Sequence, residues 1–124
     1  DADVLLHVIA ESILGALALG DLGSLFPDND DTYKNKESKY FVLEVMRLAS
    51  RKGYVVNNID CMVLAEKPKL ISYINDIRIN VSNLLNVELD QVSIKATTTE
   101  GLGFIGKEEG IMATATVLLK EDQK

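Results

Sequence analysis

The stretch YVVNNIDCMVLA, residues 54–65, limits the folds open to this chain more than any other. It is rich in β-branched residues and predicts a strand. Pro68 then suits the first turn of a helix, which the apolar stripe of Leu70, Ile74, Ile77, Val81 and Leu84 carries to about Leu85. After a short acidic turn, QVSIKAT (91–97) predicts a second strand and GIMATATVLL (110–119) a third. Strand, helix, strand in that order predicts a parallel pair joined by one right-handed crossover, with the last strand pairing antiparallel.

Two helices precede this unit. Asp3 to Leu19 has an apolar face of Val4, Leu5, Val8, Ile9, Ile13 and Leu17, with Asp3 as its expected N-cap and Gly20 as its stop. Ser38 to Lys52 turns Phe41, Val45, Leu48 and Ala49 inward and stops at Gly53. Between them, residues 20–36 carry turn residues and no period, which predicts a loop. The expected class is α+β, a two-layer sandwich with a mixed β-sheet and helices packed on one face. With 124 residues, 47% of them hydrophobic, the chain suits one domain, residues 1–124.

Charge narrows the partners. Thirteen Lys and Arg stand against 19 Asp and Glu, a net charge of −6, and no basic cluster interrupts the acidic background, so nucleic acid is not an expected partner. No apolar run approaches the length of a membrane span. The lone cysteine, Cys61, cannot form an intramolecular disulfide, which suits a reducing compartment.

Four stretches could carry chemistry. Asp3, His7 and Glu11 form a polar strip on the first helix, and a histidine one turn from a carboxylate can share a metal. A catalytic zinc needs about three protein ligands, however, so spacing alone favours a capping Asp and a hydrogen-bonded His. GDLGSLFPDND (20–30) could accept hydrogen bonds from sugar hydroxyls or hold a divalent cation, or be a solvated acidic turn. AEKPKL (65–70) leaves a strand and enters a helix, where a parallel sheet binds ligands; its two lysines add positive charge, although lysines near a helix start are common on surfaces. KATTTEGLGFIGKEEG (95–110) says most. Its threonine hydroxyls, glycine-rich backbone and Glu100 suit a diphosphate with a divalent ion, and its apolar Phe104 and Ile105 are easiest to explain if packed against another subunit.

Taken together and in this order, DADVLLH, LGALALGDLGSLFPDND, AEKPK and KATTTEGLGFIGKEEGI resemble the 2-C-methyl-D-erythritol 2,4-cyclodiphosphate synthases, from Asp1 to about Leu119. The resemblance implies a homotrimer with active sites between subunits and a lyase of non-mevalonate isoprenoid synthesis. In that reaction the 2-phosphate of 4-diphosphocytidyl-2-C-methyl-D-erythritol 2-phosphate attacks the β-phosphorus and CMP leaves. By matching position it implies His7 as a ligand of Zn2+ or another divalent transition metal. Asp21, Leu22, Gly23, Phe26, Pro27, Asp28, Asn29 and Asp30 would line the methylerythritol pocket. Ala65, Glu66, Lys67, Pro68, Lys69, Leu70 and Ile71 would form the cytosine pocket. Thr97, Thr98 and Thr99 would bind phosphates, Thr98 as the catalytic group, and Glu100 would hold Mg2+ or Mn2+. Phe104 and Lys107 would lie near the trimer axis.

There are departures. The family's N-terminal β-hairpin, with an Asp-x-His pair that completes the zinc site, is not in this sequence, which leaves a rival reading: a non-catalytic trimeric CDP-binding or scaffold relative. Asp1-Ala2-Asp3 replaces the usual Asp-Gly-Asp, and Lys107 stands where many members carry arginine, keeping charge without the bidentate fork. The resemblance places such an enzyme in the bacterial cytoplasm or a plastid-type organelle such as the apicoplast, and the many Asn and Lys residues lean toward the latter.

Overall fold

The computed structural model describes residues 2–27, 37–66 and 71–123. Its elements in chain order are α1 (Ala2–Ala16), α2 (Leu22–Leu25), α3 (Ser38–Arg51), β1 (Tyr54–Leu64), α4 (Ile74–Leu85), β2 (Val92–Thr97), α5 (Gly103–Gly106) and β3 (Met112–Glu121). Single 3-10 turns, Ile71–Tyr73 and Leu89–Gln91, introduce α4 and β2. The sheet runs β2-β1-β3, with β1 and β2 parallel and β3 antiparallel to β1, as the crossover pattern predicts.

The three long helices cover one face in the same lateral order as the strands: α1 over β3, α3 over β1, α4 over β2. The core between the layers is built from Ile9, Ile13 and Leu14 of α1, Val42 and Val45 of α3, Val81 and Leu85 of α4, and Val56, Ile59, Cys61 and Val92 of the sheet. On β3 the core-facing side chains begin with Ala113 and Ala115, small enough to let α1 lie close. A bulge interrupts β1: Val56 pairs with Leu119 and Asn58 with Leu118, so Asn57 is the extra residue. The core-facing side therefore changes from even to odd numbers, burying Val56 and then Ile59, Cys61 and Val63. Gln91 Nε2 donates to the carbonyl of Asn57 at 2.6 Å, so the residue that the ladder skips is used by the turn leading into β2.

Several boundaries differ from the sequence reading. Helix α1 begins at Ala2, so Asp3 stands inside the first turn rather than at the cap, where its charge still favours the helix dipole. It ends at Ala16 rather than Leu19: Ala18 takes a left-handed φ of 58°, and Leu19 N–H donates to Leu14 O while Ala18 N–H donates to Gly15 O. That is the paired bond pattern of a Schellman stop, with alanine where glycine is usual. Val4, expected on the inner face, is 40% exposed, and the buried stripe is Leu5, Leu6, Ile9, Ala10, Ile13 and Leu14. The loop after α1 contains a helical turn, Leu22–Leu25. Regular α-helix in the crossover starts at Ile74, preceded by its 3-10 turn at Ile71.

Candidate functional site

Both parallel strands end at the same edge of the sheet, where Leu64 of β1 pairs with Thr97 of β2. One more backbone bond, Ala65 N–H to Thr97 O at 3.1 Å, carries the ladder past the strand ends. The 65–66 turn and the 97–100 loop are thereby neighbours although separated widely in sequence. This is the end of a parallel pair at which open α/β sheets bind ligands.

The threonine loop is folded on itself. Thr99 uses two donors inside the protein: its N–H donates to Glu66 Oε2 at 2.9 Å and its hydroxyl to Leu102 O at 2.7 Å. Thr98 Oγ1 accepts the Glu100 N–H at 3.1 Å, which leaves the hydroxyl proton of an exposed side chain available to a ligand. Thr97 is exposed and its hydroxyl reaches only the next carbonyl, at 3.3 Å. Glu100 is exposed and sits at φ 55°, followed by Gly101 at φ 81°, so the chain turns sharply through the left-handed region. Gly106 closes the loop: a Cβ there would lie 2.1 Å from the carbonyl carbon of Gly101. Phe104 is 52% exposed and its ring covers Gly110. Ile105, expected beside Phe104 against another subunit, is instead buried within its own chain, at 5% exposure, because α5 turns it under the loop. Lys107 is exposed.

The turn after α1 is held by two carboxylates. Asp21 caps α2, accepting Ser24 N–H at 2.8 Å, and this bond, helped by the Ser24 hydroxyl, holds its carboxyl below the usual range against a small opposing effect of burial. Glu11 Oε1 accepts Leu22 N–H at 2.6 Å. The sequence reading had Glu11 in a strip with His7; the structure gives it to the turn instead. No spacing rule could have found this bond, because its partners meet only after the chain has reversed. Leu22 is buried, Gly23 exposed, and Phe26 and Pro27 half-buried, Phe26 lying 5.3 Å from the ring of Phe41.

His7 is exposed on the N-terminal half of α1. Ala16 and Leu17 line a groove with Tyr54 and Leu118, so the helix finishes beside the start of β1 and the close of β3. Its N-terminal half thus runs toward the edge that carries the threonine loop. Among the described residues no three His, Cys, Asp or Glu side chains converge on one point, so His7 is not joined here by the two further ligands a zinc would need. Asp28, Asn29, Asp30, Lys67, Pro68, Lys69 and Leu70 lie outside the described residues, and Ile71 is described by its backbone alone. Among the described residues no helix is long and apolar enough to cross a membrane.

A mixed three-stranded sheet with helices on one face and a threonine-glycine loop beside a strand-end turn defines an α+β domain suited to a phosphorylated ligand. The model of the YgbB family matches residues 1–120, and the chain belongs to that family. Curated relatives agree: the 2-C-methyl-D-erythritol 2,4-cyclodiphosphate synthase of Carboxydothermus hydrogenoformans is 52% identical over 121 residues, covering 98% of this chain and 74% of the relative. That of Clostridium botulinum is 54% identical over 111 residues, covering 90% and 71%. Among solved structures, IspF of Plasmodium falciparum in complex with CDP superposes with a TM-score of 0.86 at 36% identity, covering 97% of this chain and 72% of that one. The bifunctional IspDF of Campylobacter jejuni gives 0.90 at 38% identity, with 95% of this chain and 32% of the larger one covered.

Proposed function

We propose that the chain, as a single domain over residues 1–124, is a cyclising phosphorus-oxygen lyase of isoprenoid biosynthesis. It converts 4-diphosphocytidyl-2-C-methyl-D-erythritol 2-phosphate to 2-C-methyl-D-erythritol 2,4-cyclodiphosphate. An oxygen of the 2-phosphate forms a bond to the β-phosphorus, the bond from that phosphorus to the oxygen bridging to the α-phosphate breaks, and CMP leaves with that oxygen. The observation that carries this reading is the meeting of the 65–66 turn and the 97–100 loop at one sheet edge, in a fold shared with a CDP-bound relative.

Phosphoryl transfer needs little covalent work from the protein and much positioning and charge neutralisation. Thr98, whose oxygen is fixed by Glu100 N–H, aims its hydroxyl proton at the phosphates as charge builds in the transition state, with Thr97 beside it. Thr99 serves the loop through its inward bonds. Asp21, ionised at neutral pH, accepts from the methylerythritol hydroxyls, next to Leu22, Gly23, Phe26 and Pro27 and with 28–30 continuing the pocket. Ala65 and Glu66 would meet the cytosine through backbone groups, and the family resemblance assigns 67–71 to the same pocket.

The donor chemistry at Glu100 suits Mg2+ or Mn2+, which are held by one or two carboxylates together with substrate phosphates and water. Glu100 would hold such an ion, which would supply charge neutralisation at the substrate's diphosphate. His7 would supply one nitrogen toward a zinc-type ion, and the described residues do not complete that set. The open sheet face, with Met112 44% and Leu118 58% exposed, and the exposed Phe104 support a homotrimer with Phe104 and Lys107 toward its axis. The bacterial relatives support a bacterial-type enzyme, in a cytoplasm or a plastid-type organelle such as the apicoplast. Phosphorus NMR of the intact protein with substrate and Mg2+ tests the whole reading: a cyclic diphosphate and CMP in equal amounts are expected. CDP binding without turnover would favour a binding or scaffold role.

A further inference from the structure

We infer that Glu66 is a positioning residue: its carboxylate reads no base but locks the phosphate loop to the cytosine turn, an inference that rests on the proposed nucleotide site. Glu66 is half-buried at the end of β1, and its Oε2 accepts Thr99 N–H at 2.9 Å. A backbone amide bound to a carboxylate is a charge-assisted bond, shorter and stronger than a neutral one. Thr99 stands between the two residues proposed to face the phosphates, Thr98 and Glu100, and its N–H lies in the peptide that joins it to Thr98, so fixing that N–H fixes the peptide plane next to Thr98 and anchors the chain that leads to Glu100.

The rest of the loop depends on the same residue. Thr99 Oγ1 donates to Leu102 O, and Leu102 N–H donates back to Thr99 O at 3.2 Å, a closed turn whose near end is held by Glu66. On the other side, Ala65 N–H bonds Thr97 O at 3.1 Å. Two consecutive residues of the turn, 65 and 66, therefore grip two alternate residues of the loop, 97 and 99. The first grip continues the sheet ladder and needs no particular side chain, whereas the second needs an acceptor of glutamate's reach. A shorter aspartate at position 66 would lack that reach, and a carboxylate left without the Thr99 bond would add repulsion beside a diphosphate.

This division of labour separates base affinity from phosphate affinity. In Glu66→Ala, calorimetry is expected to show cytidine bound as in the parent and CDP bound about tenfold more weakly, with kcat reduced by a similar factor. Glu66→Gln keeps an amide oxygen that can accept the same N–H and is expected to recover most of that loss. Equal weakening of cytidine and CDP in Glu66→Ala, unchanged CDP binding, or a Glu66→Gln loss as large as that of alanine would overturn the inference. Hydrogen exchange at the Thr99 amide of the parent is a readout that needs neither variant nor ligand. Slow exchange there, made fast in Glu66→Ala, supports the lock, and fast exchange in the parent refutes it. A parent that binds neither cytidine nor CDP would instead bring down the nucleotide-site reading, with the exchange data still deciding whether the lock exists.

Discussion

The two loops of the candidate site are fastened differently. The turn at 21–25 is held by side chains acting on backbone donors: Glu11 on Leu22 N–H and Asp21 on Ser24 N–H. The loop at 97–110 adds to side-chain bonds from Glu66, Thr98 and Thr99 a tightly folded backbone, with Glu100, Gly101, Gly103 and Glu108 all at positive φ and Gly106 pressed against Gly101. A side-chain fastening can be imitated by any group with an acceptor in the same place. The close approach at Gly106 leaves no room for a Cβ. The first loop should therefore tolerate amide-for-acid changes, and the second should not tolerate even alanine at its contact glycine.

The sharpest way to break this comparison is Gly106→Ala. With a Cβ placed 2.1 Å from Gly101 C and 2.5 Å from its O, both backbone atoms, the loop must open. Turnover should fall on the order of 100-fold, as expected when catalytic groups move by about 1 Å, while circular dichroism of the helices and sheet stays that of the parent. Near-parent turnover would show that the loop is more forgiving than its geometry implies. Next in size is Glu11→Ala, which leaves the N–H of buried Leu22 without its acceptor. Chemical denaturation should show a loss of about 1–3 kcal/mol, and Glu11→Gln should restore more than half of it if the fastening is a matter of acceptor position.

Asp21 offers a gentler probe. Its carboxyl is held below the ordinary value by Ser24, so the capping bond stabilises the fold above the unfolded-state pKa near 4 and the contribution is lost as pH falls through the still lower folded-state pKa. Asp21→Asn, itself a good cap, should flatten that acid limb with little change in stability at pH 7, while substrate KM rises. The smallest effect at neutral pH is expected from the core that both loops are mounted on. Cys61 is 1% exposed and burial, with a lesser push from Asp60, raises its thiol to about 12. The native thiol stays neutral, so its contribution is whole below the unfolded pKa of about 8.5 and declines by roughly 1.4 kcal/mol per unit as pH rises from there toward 12. Thiol reagents at pH 8 should label Cys61 only when the protein unfolds, and rapid native labelling would place it at a breathing edge instead.

Much of this was open to reading in the chain. The β-branched run at 54–65, the stripe through Ile74, Ile77, Val81 and Leu84, and the run at 110–119 specify a strand, a helix and a strand, the last observed as Met112–Glu121, because burial of one face imposes a period of 2 or 3.6 on the sequence. Their order then leaves little choice but a parallel pair with an antiparallel neighbour. The threonine loop was legible as a candidate phosphate site, since a run of hydroxyls, an acid and glycines at a strand end is chemistry written in consecutive residues.

What stayed hidden depends on groups far apart in sequence. Glu11 and Leu22 are 11 residues apart, Glu66 and Thr99 are 33, and Gln91 meets the bulge at Asn57 across 34. No local period records such pairs, because each bond exists only after α1 has reversed its direction or the two parallel strands have come side by side. The same holds for Ile105, whose neighbours in sequence suggested an apolar pair packed against another subunit and whose burial in its own chain is decided by the turn of α5. Sequence alone thus determined which segments become the long helices and strands, and which stretch is the candidate for phosphate chemistry, through periodicity and the side chains that stand together. Tertiary structure decided which carboxylates hold the loops and which stay exposed, because a carboxylate's role is set by the donor it meets, and for Glu11 and Glu66 that donor comes from another part of the chain.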